Sequence, residues 1–506
     1  MQAGIWGFSC RMTDQPNLLF IFSDQHSARV AGYSGDPLAE TPNLDKLAAG
    51  GVVFDNAYCS SPICTPSRMS AMTARHPYRN RVWGNQDILH SGIPTFAHAL
   101  GAAGLDPVLV GRLHSVGPDQ LLGYARREVG DHHANWSGVA RVDMGPLQGT
   151  ASPDRRSLLN SGSGQSAYEV KDEDVIEATL LELDQFAVEI AQGTRQRFAM
   201  TCGLMLPHAP FVARADDFKR FEDRVGLAHP RGPQSGHEHP WLAQWREKCG
   251  ITDVSEAEEK RARAAYYGLV ASMDRAIGKV LDRLEALGLA DNTLVVYASD
   301  HGEQLGAHGM WWKHTFYEDS VKVPMILRWP GTLPAGERRQ QVVNLIDLTA
   351  TMLEAAGAPA LPNADGISFL NVARSADAPW IDCAFSEYCH GSRFDWGIAG
   401  TSQNRMIRQG RYKLIHYHGF PSQLFDLEED PLEEFDLAGD SAHASIVKQL
   451  TEAVLRGWDP DAVRAQIEET LEAKALLQKW AQQVNPPSAY MWQMQSDHNW
   501  LDAKPE

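Results

Sequence analysis

Two short apolar runs that each end in an aspartate decide the fold: residues 17–24 read NLLFIFSD and residues 293–300 read TLVVYASD. A continuous apolar run of this length is typical of a strand that is buried on both faces, as in a parallel sheet. Open α/β sheets bind their ligands at the carboxyl ends of such strands. We therefore expect Asp24 and Asp300 to contribute to one site at the edge of a large sheet.

Alternating strand and helix patterns continue from these runs through about residue 355. TPNLDKLAAGG at residues 41–51 predicts a helix that begins near Pro42, and GVVFDNAYC at residues 51–59 predicts the next strand. Further strand and helix patterns follow in DPVLVGRLH (106–114), DVIEATLLELDQFAVEIAQ (174–192), RFAMTCGLMLPHAPF (197–211) and SEAEEKRARAAYYGLVASMDRAIGKVLDRLEALGL (255–289). This alternation predicts an α/β domain with a mostly parallel sheet.

The pattern changes near residue 376, where short strands separated by turn residues replace the alternation. NRMIRQGRYKLIHYH (404–418) and SQLFDLEEDPLEEFDLA (422–438) predict a smaller antiparallel sheet, closed by a helix. The tail, residues 485–506, is rich in proline and aromatic residues, so we expect it to pack on its own chain or on a neighbouring subunit. The predicted organisation is an N-terminal lead (1–15), a large α/β domain (16–375), a small α+β subdomain (376–460) and a helix with an aromatic tail (461–506).

Composition excludes several classes of protein. Hydrophobic residues make up 43% and charged residues 22% of the 506 residues, which is ordinary for a globular chain. The formal net charge of -18 argues against a nucleic-acid binder, which needs a basic face. No run reaches the roughly 18 apolar residues of a membrane span, so no membrane partner is expected. The 7 cysteines are scattered and odd in number, and the first residues lack a signal-peptide pattern, so we expect a cytoplasmic location.

The segment CTPSR at residues 64–68 lies between the second predicted strand and a helical pattern. Pro66 suits the first turn of that helix, so Cys64 is expected at or just before a helix N-terminus. Backbone N–H groups and the helix dipole favour an anion or a developing negative charge at that position. Taken alone, the segment is equally compatible with a buried cysteine at a helix start.

CTPSR matches the pattern Cys-x-Pro/Ala-x-Arg of enzymes whose cysteine is converted to formylglycine, and the chain resembles the formylglycine-dependent sulfatase family of the alkaline-phosphatase-like superfamily. The resemblance extends over residues 16 to 440, in the family's order. Its segments are the strand ending in Asp24-Gln25, GRLH (111–114), LPHAPF (206–211), ASDHGEQLGAHGMWWKH (298–314), MIRQGRYKLIHY (406–417) and QLFDLEEDPLEEFDLA (423–438). It implies an alkaline-phosphatase-like sandwich, in which helices flank a large mostly parallel central sheet and a smaller C-terminal domain carries an antiparallel sheet.

The resemblance also implies a site for one divalent metal ion, formed by Asp24, Asp300, His301 and the modified Cys64. Carboxylates and a hydrate oxygen are hard ligands that suit such an ion. Many arylsulfatases carry Asp-Asp and Asp-Asn where this chain has Asp24-Gln25 and Asp300-His301. One carboxylate fewer and one imidazole more shift the expected metal from strict calcium towards manganese or a mixed site, with magnesium ranked third.

The catalytic residues follow from the same resemblance. One hydroxyl of the hydrated aldehyde at Cys64 is expected to attack sulfur in line with the leaving alcohol. Arg68 and Arg112 are expected to hold the hydrate, although the family usually has lysine at the position of Arg112. His114 is the expected base for the expulsion of sulfate.

Substrate contacts are expected from four further residues. His208 and Lys313 are the expected groups at the sulfate and the leaving oxygen, where negative charge accumulates. Gln25 and Asn85 are expected to bind substrate as well. Asn85, in VWGNQD, has an equally good reading as a turn residue.

Two features point to a branch of the family. The Asp-Gln and Asp-His pairs are similar to those of choline sulfatases and phosphonate monoester hydrolases, and VGRLHSVGPDQLLGYARR (110–127) resembles the GPDQLHGF segment of choline sulfatases. Choline recognition needs an aromatic cage and usually a carboxylate. Trp136 stands apart from any aromatic cluster, and nothing in the sequence fixes Asp395 and Trp396 at the site. We therefore favour a sulfuric ester hydrolase that cleaves aryl or alkyl sulfate monoesters.

Alternatives remain open at this point. A phosphonate monoester or phosphodiester hydrolase shares the same nucleophile and metal pair, a choline sulfatase shares the branch, and a metal-binding protein of the same fold without catalysis is the most remote reading. The expected partners are a small sulfate ester, a formylglycine-generating maturation enzyme and further copies of the chain in a dimer or tetramer.

Overall fold

The computed structural model describes residues 15–140, 142–232, 238–391 and 401–502, so that Asp395 and Trp396 lie outside the described residues. The strands of this part are β1 (Asn17–Asp24), β2 (Val52–Tyr58), β3 (Val108–Gly111), β4 (Arg126–Glu128), β5 (Gly162–Gln165), β6 (Ala199–Pro207), β7 (Val212–Ala213), β8 (Thr293–Ser299), β9 (Met325–Arg328), β10 (Glu337–Asn344), β11 (Cys383–His390), β12 (Ser402–Gln409), β13 (Tyr412–Tyr417), β14 (Gln423–Asp426) and β15 (Trp500–Leu501). The helices are α1 (Pro42–Ala49), α2 (Cys64–Thr73), α3 (Pro77–Asn80), α4 (Phe96–Ala102), α5 (Arg156–Leu159), α6 (Ala167–Ala191), α7 (Ala215–Lys219), α8 (Pro240–Cys249), α9 (Glu256–Ala286), α10 (Glu318–Val321), α11 (Leu345–Ala356), α12 (Leu370–Arg374), α13 (Ala444–Leu455) and α14 (Pro460–Val484).

The large sheet has the strand order β10-β2-β9-β8-β1-β6-β3-β4. β1 pairs in parallel with both β6 and β8, whereas β9 runs antiparallel to its neighbours β2 and β8. Every residue of β1 and β8 is buried, as their apolar runs predict. The pairing of Ser23 with Ser299 puts Asp24 and Asp300 side by side at one edge. The prediction of a mostly parallel central sheet is confirmed.

Helices cover this sheet. The long helices α6 and α9 pack against β6 and against each other. A capping box begins α9: the Ser255 hydroxyl accepts from the N–H of Glu258, and the Glu258 carboxylate accepts from the N–H of Ser255. On another part of the sheet α2 packs against α11, and all ten residues of α2 are buried. The helix that begins at Cys64 therefore lies inside the domain.

The C-terminal domain contains a separate antiparallel sheet in the order β11-β12-β13-β14, with α13 and α14 packed on it. This confirms the predicted smaller domain. Within residues 422–438 only β14 is a strand, and the acidic segment turns back so that the N–H of Leu437 donates to the carbonyl of Leu424. The exact limits at residues 375 and 460 stay predictions.

The C-terminal tail packs on its own chain. β15 pairs with β5 in a three-stranded sheet with β7, and Met491 forms an isolated bridge with Asp131. Met494 is buried against Ala167 and Met205. Among the described helices, none combines the length and apolar character that crossing a membrane requires.

Candidate active site

Cys64 is the first residue of α2, and only 1% of its surface is exposed. Its Sγ lies 3.3 Å from His301 Nε2, 3.3 Å from Lys313 Nζ and 3.6 Å from Asp24 Oδ1. The sulfur marks the position that an oxygen of the hydrated aldehyde would occupy after oxidation of Cys64. Asn85 fixes the start of the helix, because its side-chain oxygen accepts from the N–H of Thr65 at 2.9 Å. Donation from the Asn85 amide to a sulfate stays a prediction.

Four potential metal ligands meet at this sulfur. One ligand atom each from Asp24, Cys64, Asp300 and His301 lies within 4.8 Å of the others, and all four residues are buried. Nδ1 of His301 donates to the carbonyl of Gly302, which leaves the lone pair of Nε2 facing the cluster. Burial lowers the pKa of His301 to about 4, although Asp300 partly offsets this. The imidazole is therefore neutral at neutral pH, as a metal ligand must be.

Arg68 and Arg112 bind the two carboxylates of the cluster. Arg68 donates from Nε to Asp300 at 2.8 Å and from Nη2 to Asp24 at 3.1 Å, and Arg112 donates from Nε to Asp24 at 2.5 Å. Burial alone would raise the pKa of Asp24, but Arg112, His208, Arg68 and Lys313 together hold it well below its usual range. Arg68 and Arg112 thus orient the carboxylates, and both favour the ionised form of Asp24. Within the described residues, neither donates a hydrogen bond to Sγ, so a contact with the hydrate stays a prediction.

The donor set fits a divalent metal ion. The Oδ2 atoms of Asp24 and Asp300 accept from the arginines, whereas their Oδ1 atoms lie 3.7 and 3.5 Å from His301 Nε2. Two carboxylate oxygens, one imidazole nitrogen and the position of Cys64 make a mixed oxygen and nitrogen site, which suits manganese or calcium.

Lys313 and His208 form the next layer of the site. Nδ1 of His208 donates to the carbonyl of Ala209, so Nε2 accepts from Lys313 Nζ at 2.9 Å. Lys313 Nζ also donates to Gln25 Oε1 at 2.5 Å. Burial and the Lys313 charge lower the pKa of His208, which keeps its ring neutral. Lys313 is thus held in place beside Cys64 by two acceptors.

Glu303 is a buried carboxylate that the sequence analysis missed. Gln25 Nε2 donates to Glu303 at 2.6 Å, so that Gln25 links Lys313 to a carboxylate. The expected contact of Gln25 with substrate stays a prediction. Burial raises the pKa of Glu303 to about 7, although bonds from the backbone of Leu305 and Trp312 oppose the shift. Its position two residues after His301 could have indicated in the sequence that Glu303 lies near the site.

His114 lies in a turn that Asp131 holds. The Asp131 carboxylate accepts from the N–H groups of Leu113 at 3.3 Å, His114 at 3.0 Å and Ser115 at 3.3 Å. His114 has a left-handed φ of 61°, which a side chain adopts only when its surroundings enforce it. Asp131 is a second buried residue that the sequence analysis missed, since it lies far along the chain from this turn.

Arg112 fixes the tautomer of His114. Its Nη2 donates to His114 Nδ1 at 2.8 Å, so the neutral ring carries its proton on Nε2. Burial and the Arg112 charge lower the pKa of His114 well below its usual range. In this arrangement His114 offers a donor, and its role as a base, which stays a prediction, requires the bond to Arg112 to open.

A row of aromatic rings joins His208 to His114. Neighbouring ring centroids lie 5.8, 4.8, 5.3 and 4.6 Å apart along the row His208, Tyr168, His132, His133 and His114. His132 and His133 are half-buried, whereas the four potential metal ligands are buried, and we refer to the solvent-exposed side of this row as the opening. Burial lowers the pKa of each imidazole, and the nearby cations Arg112 and Lys313 lower it further. The opening is therefore lined by neutral rings in a positive field.

A cysteine at a buried helix start, beside a candidate metal-ion site and a lysine, is an arrangement that suits a hydrolase of anionic esters. The comparison with protein families narrows this class. The family model described as Sulfatase matches residues 16–358, and the model described as N-sulphoglucosamine sulphohydrolase, C-terminal, matches residues 306–457. The chain belongs to the sulfatase family, and it is a sulfatase, a hydrolase of sulfuric esters.

Two relatives by sequence and one solved structure illustrate what this chain is similar to. The chain is 31% identical to a choline-sulfatase of Rhizobium meliloti, over 90% of each chain. It is 28% identical to arylsulfatase K of Bos taurus, over 84% of this chain and 78% of the relative. Among solved structures, the phosphonate monoester hydrolase of Agrobacterium radiobacter superposes with a TM-score of 0.71 at 22% identity, covering 90% of this chain and 96% of that one. The last comparison shows the shared fold.

Proposed function

We propose that this sulfatase hydrolyses aryl or alkyl sulfate monoesters through the formylglycine hydrate formed from Cys64. The observation that carries the proposal is the convergence of Asp24, His301 and Lys313 within 3.6 Å of Cys64 Sγ. The hydrate supplies two geminal hydroxyls, one to attack sulfur and one whose deprotonation expels sulfate and restores the aldehyde. One divalent ion, manganese or calcium ahead of magnesium, supplies positive charge that favours ionisation of the attacking hydroxyl and neutralises sulfate oxygens.

The residues around Cys64 have separate roles in this proposal. Asp24, Asp300 and His301 hold the ion, while Arg68 and Arg112 orient the two carboxylates through hydrogen bonds. The N-terminus of α2 adds backbone N–H groups that favour negative charge at residue 64.

Lys313 protonates the leaving oxygen, and His208 orients it. An ammonium group 3.3 Å from Sγ can reach the far side of a sulfate attacked from that position. Because His208 accepts from Lys313 through Nε2, the lysine is aimed into the site rather than free to rotate. Expelling an alkoxide requires such a donor.

The character of the opening supports an alcohol without positive charge. Its neutral rings can stack on an aryl group or contact an alkyl chain. The cations that keep these rings neutral would repel the quaternary ammonium of choline. Asp131, the carboxylate that holds the His114 turn, already accepts from Arg127 at 2.6 Å. The choline-sulfatase relative nevertheless makes choline sulfate the substrate to test against.

A comparison of kcat/KM values tests this choice. With the matured, metal-loaded enzyme, we expect kcat/KM to be higher for p-nitrophenyl sulfate than for choline sulfate or phenyl p-nitrophenyl phosphonate. A phosphonate preference of several orders of magnitude would show that sulfate ester cleavage is the side activity, and a choline sulfate preference would overturn the proposed alcohol class.

Maturation of Cys64 has its own test. In protein produced together with a formylglycine-generating enzyme, mass spectrometry of the tryptic peptide 47–68 should show one sulfur and two hydrogens exchanged for one oxygen. An unmodified thiol in active protein would defeat the covalent mechanism. Cys64→Ala should remove turnover and leave the circular dichroism spectrum unchanged.

The cellular setting is part of the proposal. The described cysteines all carry free thiols, which supports a reducing, cytoplasmic location. We also propose assembly of the chain into a dimer or tetramer, which light scattering coupled to size exclusion would measure.

A further inference from the structure

A second cleft, of about 520 Å³, lies where the large sheet meets the C-terminal sheet. Its walls come from the loop after β1, from β2, from the segment between α10 and β9, from β10 and from β12. None of the residues proposed to act on the sulfate ester lines it. Arg408, Lys322, Arg29, Arg338 and Tyr33 all face this space.

Arg408 is the unusual residue of the cleft. It lies on β12 and is only 6% exposed, yet its Nε and Nη1 atoms have no hydrogen-bond partner among the described residues. A buried charge without a partner is costly, and such groups normally mark a missing ligand or ion. Its planar fork of donors matches the oxygens of a tetrahedral anion.

Lys322 brings a second cation to the same space. It is half-buried, and its ammonium group makes no ion pair within the part of the chain that the structure describes. Burial lowers the pKa of Lys322, and Arg29 and Arg408 lower it further against the opposing effect of Glu318 and Asp55. Among the charged neighbours Glu318 has the largest effect on this pKa and Arg408 a smaller, opposite one.

The carboxylates around the cleft are already engaged. Glu318 accepts from Lys413 Nζ at 2.9 Å and from the Tyr58 hydroxyl at 3.0 Å. Asp55 accepts from Arg338 Nε at 3.0 Å. Glu318 lies close enough to Lys322 and Arg408 for their charges to lower its pKa, but among the described residues it accepts no hydrogen bond from either cation.

Tyr33 adds a neutral donor. Its buried hydroxyl also has no hydrogen-bond partner among the described residues, and it lines the same cleft. A guanidinium, an ammonium and a hydroxyl thus lack acceptors in one place.

We propose that this cleft binds a small multivalent oxyanion with the shape and charge of inorganic sulfate or phosphate, held by Arg408 and Lys322 with Tyr33 as a third donor. Arg408 belongs to the C-terminal sheet, whereas Lys322 precedes β9 of the large sheet. A bound anion therefore joins the two sheets, and its binding stabilises the junction between the domains.

Crystals soaked in sodium selenate locate the anion directly, because selenium scatters anomalously and selenate has the shape of sulfate. We expect one peak within hydrogen-bond distance of Arg408, separate from any peak beside Lys313. Arg408→Met should lose the cleft peak alone, while the exposed control Arg374→Met keeps it. A cleft without selenate in the wild-type crystal, or a cleft peak that survives Arg408→Met, would overturn the proposal.

Thermal unfolding tests the same site in solution, at constant ionic strength set with sodium chloride. Without oxyanion, Arg408→Met should melt at or above the wild-type temperature, since it removes an unpaired buried charge. With saturating sulfate or phosphate, the wild-type midpoint should rise by about 1–2 °C more than that of the variant. Lys322→Met provides the same comparison if Arg408→Met does not fold. Equal rises in wild type and variants, for both anions, would refute the site.

Discussion

The sulfur of Cys64 is in contact with the carboxylate of Asp24, the imidazole of His301 and the Nζ atom of Lys313, and their surroundings set the charge of the first two and the position of the third. Two arginines hold Asp24 ionised, burial keeps His301 neutral, and Lys313 donates to His208 and Gln25. A residue beside a carboxylate, a neutral imidazole and a lysine is suited to chemistry in which negative charge moves from the nucleophile to the leaving oxygen.

Lys313→Met tests the proposed protonation of the leaving oxygen. We expect kcat/KM for an alkyl sulfate to fall by about 10²–10⁴-fold, which is the usual contribution of general acid catalysis. For p-nitrophenyl sulfate the fall should be below about 10-fold, because a nitrophenolate leaves with little help from a proton.

Lys279→Met, at an exposed position on α9, is the matched control and should leave both substrates unaffected. Equal losses of kcat/KM on the two substrates would assign Lys313 to sulfate binding instead of leaving-group protonation.

At the scale of elements, the turn after β3 depends on a carboxylate contributed from beyond β4. Asp131 accepts from three consecutive N–H groups of the turn and from Arg127. This turn positions Arg112 and His114 at the site. Its geometry is therefore set by hydrogen bonds to one buried carboxylate, which Arg127 of β4 holds through an ion pair.

Asp131→Asn should lower kcat/KM by about 10–100-fold, the range seen when a residue that orients a catalytic group is changed. It should also lower the free energy of unfolding by about 3–5 kcal/mol, because Arg127 is left buried without its counter-charge. Steady-state kinetics and urea unfolding measure the two effects.

Glu182→Gln is the matched control, since it removes a carboxylate that pairs with the adjacent Arg126 nearer the surface. It should lower the free energy of unfolding by no more than about 1 kcal/mol and leave kcat/KM unchanged. If Asp131→Asn behaved like this control, the turn would not depend on the carboxylate.

Lys171, on α6, makes stability depend on pH. Its side chain is fully buried without a hydrogen-bond partner for Nζ among the described residues, and burial lowers its pKa to about 8, although Asp172 and Asp131 oppose the shift. Between pH 8 and the ordinary value of 10.5 the unfolded chain binds more protons than the folded one. The free energy of unfolding should therefore rise with pH in this window, by up to about 1.4 kcal/mol per pH unit.

Lys171→Met should remove this rise and increase stability at pH 7 by about 1–3 kcal/mol, because an unpaired buried charge is replaced by an apolar chain. Urea unfolding at pH values from 7 to 10 measures both effects. Lys279→Met again serves as control. Parallel pH profiles for wild type and Lys171→Met would contradict the assignment.

The elements that carry the site could be predicted because their causes are local. β1 and β8 are recognised by uninterrupted apolar runs, and α2 by a proline in its first turn. The contact of Asp131 with His114 could not be predicted, because no local pattern links a carboxylate to a turn 17 residues away. The same reason applies to Arg68 and Arg112: the family resemblance implied a role at the site, but only the tertiary structure shows that they bind carboxylates.

At the scale of the whole molecule, the C-terminal tail connects the last helix to the wall of the site. The N–H of Trp492 donates to the carbonyl of Asp131 at 2.8 Å, and its indole donates to Asp174 at 2.6 Å. Met494 packs against Tyr168, which belongs to the row of rings at the opening. The tail thus supports two elements that shape the substrate side of the site.

A chain ending at Val484 should therefore lose both stability and activity. Removal of the tail exposes Tyr168 and Met205 and deletes the β15 pairing, so we expect a lower midpoint of thermal unfolding and a lower kcat/KM for p-nitrophenyl sulfate. Met494→Ala removes only the packing of this side chain and should lower the free energy of unfolding by about 2–5 kcal/mol. Trp500→Ala, at a side chain that is 43% exposed, is the control and should have little effect. Were the shortened chain as stable and active as the full one, the row of rings would be held by the α/β domain alone.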